Sequence, residues 1–215
     1  MKNYDIILFD LDGTLTDSEL GITSCVEYAL NHFGIEVEDK KSLRPFIGPP
    51  LLDSFREYFG MSYEQAEEAV AKYRERYNVK GMFENRVYDG IDTLLDKLKQ
   101  QGKTLVLATS KPEKYAVMIL EHFGLDGYFD EIVGAELHHG GRNSKEDVIR
   151  CAMERLGIQD KSGVVLVGDT KFDLLGATVC GIDCIGVLYG FGSREELVGT
   201  VALAESAADL EKILL

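Results

Sequence analysis

Ile6, Ile7, Leu8 and Phe9 stand unbroken between Asp5 and Asp10, the length of one short buried strand. From about Gly21 the apolar positions change period. Ile22, Val26, Ala29, Leu30 and Phe33 recur at helical spacing and Gly34 ends the run, which predicts an amphipathic helix. Leu51, Leu52, Phe55 and Phe59 line one face of a second helix, up to Gly60. Ser62 with Gln65 predicts a capping box for a third, which carries Ala66, Ala69, Val70, Tyr73 and Tyr77 and stops at Gly81. No strand pattern interrupts this stretch, so residues 17–85 read as an all-helical insertion.

After Val87 the pattern alternates. Helices are predicted over residues 91–101, 113–123, 145–156 and 172–180, and strands over 104–108, 131–134, 164–167 and 184–187. A strand over 201–203 and a helix over 207–214, with Ser206 and Asp209 as its capping box, close the chain. Such repetition with short connections predicts an α/β fold, a doubly wound parallel sheet with helices on both faces, built from residues 1–16 and 86–215.

Composition narrows the partners. At 215 residues and 45% hydrophobic, the chain can fill such a core and a small second module. With 37 acidic against 23 basic residues the net charge is −14, which disfavours nucleic acid polymers and anionic membranes. An anionic ligand has to be held by local groups. Cys25, Cys151, Cys180 and Cys184 are scattered without the paired spacing of a zinc site and fit reduced thiols. The first residues are too few and too polar for a signal peptide or a membrane span, so the chain reads as cytoplasmic. Its oligomeric state has no signal in the sequence.

In an open α/β sheet the ligand site lies beyond the carboxyl ends of the strands. Asp10 and Asp12 follow the first strand; Thr109, Ser110 and Lys111 follow the strand over 104–108; Asp169 and Asp173 follow the strand over 164–167. Lys145 opens an intervening helix. A lone Asp12-Gly13 would read as a turn and Asp17 as a helix N-cap. Four acids at strand ends are a different matter, because carboxylates this close require a cation, and oxygen ligands favour Mg²⁺. Asp10 is then a candidate nucleophile toward phosphorus and Asp12 a candidate general acid and base. Thr109, Ser110 and Lys145 are candidate phosphate-binding groups, with Lys111 as the alternative phosphate cation.

Asp10-Leu11-Asp12-Gly13-Thr14-Leu15, Thr109, Lys145 and Gly168-Asp169-x-x-x-Asp173 resemble the four motifs of the haloacid dehalogenase-like hydrolase superfamily. The resemblance covers essentially the whole chain. The insertion is similar to the small helical cap of the phosphoglycolate phosphatase-like branch, set on a Rossmann-like core. It implies Mg²⁺-dependent hydrolysis of phosphate monoesters through an aspartyl-phosphate at Asp10, with Asp12 as acid and base. It also implies metal held by Asp10, the Asp12 main-chain carbonyl and Asp169, with Asp173 in support. The sequence around Lys145, Arg142-Asn143-Ser144-Lys145-Glu146, lacks the prolines usual beside that lysine in the branch.

Arg44-Pro45-Phe46-Ile47-Gly48-Pro49-Pro50-Leu51 is stiff and partly apolar, and reads either as a selectivity loop or as a rigid helix connection. Phe46 suits a nucleobase and Arg44 a small carboxylate. Phe46 to Leu51, together with Tyr189-Gly190-Phe191-Gly192-Ser193, resembles members known as phosphoglycolate phosphatases or 5′-nucleotidases, so the expected partner is a small phosphate ester. A phosphosugar mutase and a non-catalytic binding protein on the same scaffold are the alternatives. A receiver-type phospho-acceptor is disfavoured because the strand over 131–134 ends without an acceptor Asp. The adjacent His138 and His139 read as solvated loop residues.

Overall fold

A computed structural model describes residues 2–136 and 141–215; His138 and His139 lie outside the described residues. The chain divides into two compact units, one of Met1–Thr16 with Val87–Leu215 and one of Asp17–Arg86.

The first unit is built on a parallel sheet. β1 (Ile6–Phe9) lies at its centre, between β4 (Thr104–Pro112) and β6 (Val164–Gly168). β5 (Glu131–Ala135) extends it beyond β4, and β7 (Asp183–Val187) and β8 (Ala202–Ala204) extend it beyond β6. The order is β5-β4-β1-β6-β7-β8, so the direction of winding reverses at β1, as in doubly wound folds. Strand residues alternate between two buried faces. Leu8, Val106, Val133 and Leu166 share one hydrophobic cluster with Val148, Ile149 and Ala152 of α6 (Lys145–Arg155) and Ala177 and Cys180 of α7 (Lys171–Cys180). Ile7, Leu105, Leu107, Val165 and Val167 have the opposite parity and are also buried. α4 (Ile91–Gln100) packs on β4 and on α8 (Ala207–Leu214), and α5 (Glu113–Phe123) packs on β4 and β5. The expected doubly wound parallel sheet is present.

β4 is longer than the sequence pattern suggests. A register shift between Ala108 and Pro112 lets the strand resume pairing, Pro112 with Ala135, so Thr109, Ser110 and Lys111 lie within the strand rather than after it. Two short strands, β2 (Thr16–Asp17) and β3 (Arg86–Val87), pair separately and have too few residues to leave a period in the sequence.

The second unit is helical: α1 (Glu19–His32), a 3₁₀ segment Lys40–Phe46, α2 (Leu51–Phe59) and α3 (Tyr63–Tyr77), whose Ser62–Gln65 capping box forms as expected. The Phe46 ring is buried among Phe55, Tyr58 and Phe59, at centroid distances of 5.0, 5.6 and 6.0 Å. Phe46→Ala is therefore expected to cost about 3–5 kcal/mol, read from the denaturant midpoint of this unit. Among the described residues no helix is long and apolar enough to cross a membrane.

Candidate active site

Asp10 begins where β1 ends, and its N–H donates to Val167 O of β6 at 2.9 Å. The chain then folds back at once. Leu15 and Thr16 both donate to Leu11 O, at 2.9 and 3.0 Å, and Gly13 donates to Thr16 O at 2.8 Å. Gly13 has φ +88°, and a Cβ there would run into the Asp169 carboxylate, so position 13 needs glycine on both counts. The turn brings Asp10 beside Asp169, which follows β6, the neighbouring strand at the point where the strand order reverses.

Asp10, Asp169 and Asp173 are all buried, and each offers one oxygen within 4.8 Å of the others. Asp169 Oδ2 accepts from Phe191 N–H at 2.7 Å and Oδ1 from the Thr14 hydroxyl at 3.4 Å. The Tyr189 hydroxyl donates to Thr14 O at 3.0 Å, which braces the same turn. Asp173 stands at the third residue of α7. Its Oδ2 accepts from the Thr170 N–H and hydroxyl, at 3.0 and 2.9 Å, closing a capping box, while its Oδ1 faces Lys145.

Lys145 is the first residue of α6, where Ser144 and Asp147 form a reciprocal capping box. A helix N-terminus offers an ammonium nothing. What holds this one is two hydrogen bonds, to Asp10 Oδ1 at 2.6 Å and Ala108 O at 3.0 Å, and an ion pair with Asp173 Oδ1 at 2.8 Å. The lysine stem lies over Gly176 of α7, where a Cβ would come within 2.6 Å of Lys145 Cγ. A helix-interior glycine costs about 1 kcal/mol relative to alanine, and here the close approach of Lys145 explains it.

The charges are unbalanced. Burial pushes the Asp10 carboxyl up to about 6 even with the Lys145 ammonium against it, and Asp173 adds repulsion. Burial, reinforced by Asp173 and Asp10, raises Asp169 well above the ordinary carboxylate range. Burial works against the Lys145 ammonium, but Asp10 and Asp173 outweigh it and raise its pKa. One ammonium against three buried carboxylates leaves a deficit of positive charge. An all-oxygen donor set of this size fits a hard divalent cation such as Mg²⁺.

The remaining candidates fall in different places. The Asp12 side chain is outside the three-carboxylate cluster and pairs with Lys111, Oδ2 to Nζ, at 2.6 Å. Thr109 is buried, and its Oγ1 accepts from Lys111 N–H at 3.2 Å; Ser110 is half-buried. In the helical unit, Arg44 makes a two-pronged pair with Glu19, at 2.7 and 2.8 Å, and Phe46 is buried in that unit's own core. Asp17 pairs with Arg86, and Ser18 rather than Asp17 is the N-cap of α1. Sequence reasoning gave no role to Thr14 or to the Phe191 amide. A main-chain donor leaves no side-chain signal, although both residues stand in segments already singled out.

Residues 7–187 match the family described as haloacid dehalogenase-like hydrolase. The chain is 49% identical over 194 residues to a 5′-nucleotidase of Pseudomonas aeruginosa, covering 90% of this chain and 87% of that protein. It is 42% identical over 194 residues to tyrosine-protein kinase PtkA of Mycobacterium tuberculosis, covering 90% of this chain and 65% of PtkA. Among solved structures, a predicted phosphatase from Clostridium acetobutylicum superposes with a TM-score of 0.93 at 50% identity, over 99% of this chain and 98% of that one. On a match that takes in most of its length, the chain belongs to the haloacid dehalogenase-like hydrolase family, among its phosphoric monoester hydrolases.

Proposed function

We propose that the protein is a Mg²⁺-dependent phosphatase of small phosphomonoesters, nucleoside 5′-monophosphates first among them, working through a phosphorylated Asp10. The observation that carries this reading is the Asp10 carboxylate itself. It is held by Lys145 at 2.6 Å at the carboxyl end of the central strand, inside a buried acid cluster and two residues from a second acid. The nucleotide preference leans on the 49% identical relative that is named a 5′-nucleotidase.

The residues divide the reaction between them. An Asp10 oxygen attacks phosphorus, forming the Asp10 O–P bond as the bond from phosphorus to the ester oxygen breaks. Asp12 gives its carboxyl proton to the departing oxygen, which leaves as an alcohol. In the second step Asp12 takes a proton from water while the water oxygen attacks phosphorus and the Asp10 O–P bond breaks. Orthophosphate leaves and both carboxyls return to their starting states. Lys145 fixes the Asp10 carboxylate, and Thr109 and Ser110, which follow directly on the Ala108 carbonyl that accepts from Lys145, would bind phosphoryl oxygens. Mg²⁺ held by Asp10, Asp169 and the Asp12 main-chain carbonyl, with Asp173 in support, would offset the charge gathered between nucleophile and phosphoryl group.

The test is phosphate release from nucleoside 5′-monophosphates, 2-phosphoglycolate and sugar phosphates, with Mg²⁺ and with a chelator. Turnover is expected for at least one nucleotide and is expected to stop on chelation. Preference for 2-phosphoglycolate would overturn the nucleotide assignment, and turnover indifferent to the chelator would overturn the role of the metal. Independently of turnover, Mg²⁺ is expected to raise the melting temperature, and Asp169→Asn to remove most of that rise.

A further inference from the structure

The Lys111–Asp12 pair has a form that a merely structural ion pair does not require. Both side chains are nearly buried, 6% and 10% exposed, and Lys111 Nζ stands 2.6 Å from Asp12 Oδ2. The other oxygen, Asp12 Oδ1, is buried and has no hydrogen-bond partner among the described residues. A carboxylate held by one oxygen with the second left unmatched is costly in a folded protein, unless the second oxygen has work with a ligand. The lysine is itself held in place. It lies within the register shift of β4, between Ala108 and Pro112, and its N–H donates to Thr109 Oγ1 at 3.2 Å, so the strand that carries Thr109 also carries the ammonium to Asp12.

We propose that Lys111 is a positioning residue for the proton transfer: it clamps Asp12 Oδ2 so that Oδ1 faces the ester oxygen that departs. This rests on the phosphatase reading above. Oδ1 carries the proton to the departing oxygen as the phosphorus–oxygen bond breaks, and recovers one from water as the Asp10 O–P bond breaks. Lys111 exchanges no proton in either step. Orientation of this kind matters in proportion to how much the departing oxygen needs a proton.

The test compares phenyl phosphate with p-nitrophenyl phosphate, which share a ring and differ mainly in how readily the oxygen leaves without protonation. The quantity is kcat/KM, which reports only the first transfer to Asp10. For Lys111→Met the expected loss is about 100-fold on phenyl phosphate and about tenfold less on p-nitrophenyl phosphate, with Lys111→Arg recovering part of the difference. Circular dichroism establishes that each variant is folded. Equal losses on the two esters would overturn the proposal, because a role in the fold or on the transferring phosphoryl group does not distinguish them. A rise in KM with kcat unchanged would overturn it as well, and would make Lys111 a reader of the leaving group. If the wild type turns over neither these esters nor any nucleoside 5′-monophosphate, the phosphatase reading itself fails and takes this one with it. Turnover by the wild type with equal losses in the variant defeats only the role of Lys111.

Discussion

Asp10→Asn is expected to lower phosphate release by about 10⁴-fold or more while the protein stays folded. The amide keeps the shape of the carboxylate but has neither its charge nor its nucleophilicity. Rapid quenching with labelled substrate should find phosphate bound to the wild type and none bound to the variant. Stability moves the other way. The Asp10 carboxyl is held up at about 6 by burial, above its usual value, so the folded state binds that proton more tightly than the unfolded chain does. The contribution is fully present below the unfolded value, about 4, and is lost as pH rises through about 6. In metal-free buffer the melting temperature of the wild type, relative to the Asn variant, should therefore fall across that window. Substantial residual turnover in the variant would remove Asp10 from the nucleophile's role. A difference between the two melting temperatures that does not vary with pH would remove its buried, proton-binding character.

Lys145→Met carries the second large effect. The replacement has nearly the same reach, but Asp10 and Asp173 each lose an ammonium within 2.8 Å and remain buried with Asp169. Removing one partner of a buried ion pair costs about 3–5 kcal/mol, because the charge left behind is uncompensated. The same deficit makes the variant more dependent on a divalent cation, so Mg²⁺ should restore more melting temperature to it than to the wild type. Denaturant titrations with and without Mg²⁺ measure both quantities. A variant as stable as the wild type without metal would mean that the acids are neutral when the site is empty, and would relocate the positive charge the site needs.

The sheet was legible in the sequence because each of its strands is a short apolar run closed by polar or glycine residues, and β4 to β7 alternate with helices of clear period. Its order was not spelled out. Nothing local in Ile6–Phe9 says that β6, rather than β5 or β7, lies beside it; that follows from the reversal of winding. Asp10, Asp169 and Asp173 could be grouped from their strand-end positions alone, since a parallel sheet brings all such ends to one edge. The partners of those acids were harder. Asp173 and Asp147 both stand three residues after a hydroxyl residue, a pattern that signals a capping box, and in Asp173 the signal for chemistry obscured the signal for capping. The contact of Lys111 with Asp12 depends on a register shift in β4, which no periodicity records. Phe46 reads equally as a core residue and as a ligand surface until its three aromatic neighbours are placed around it.

The divided carboxylate of Asp173 joins two things that are separable in most enzymes. One oxygen secures the first turn of α7 and the other faces the ammonium that steadies Asp10. Any event that draws the second oxygen aside must twist the first away from the Thr170 amide, so the state of the acid cluster is written into the fraying of a helix end. Hydrogen exchange at that single amide then becomes a gauge of site occupancy, readable without a substrate and without turnover.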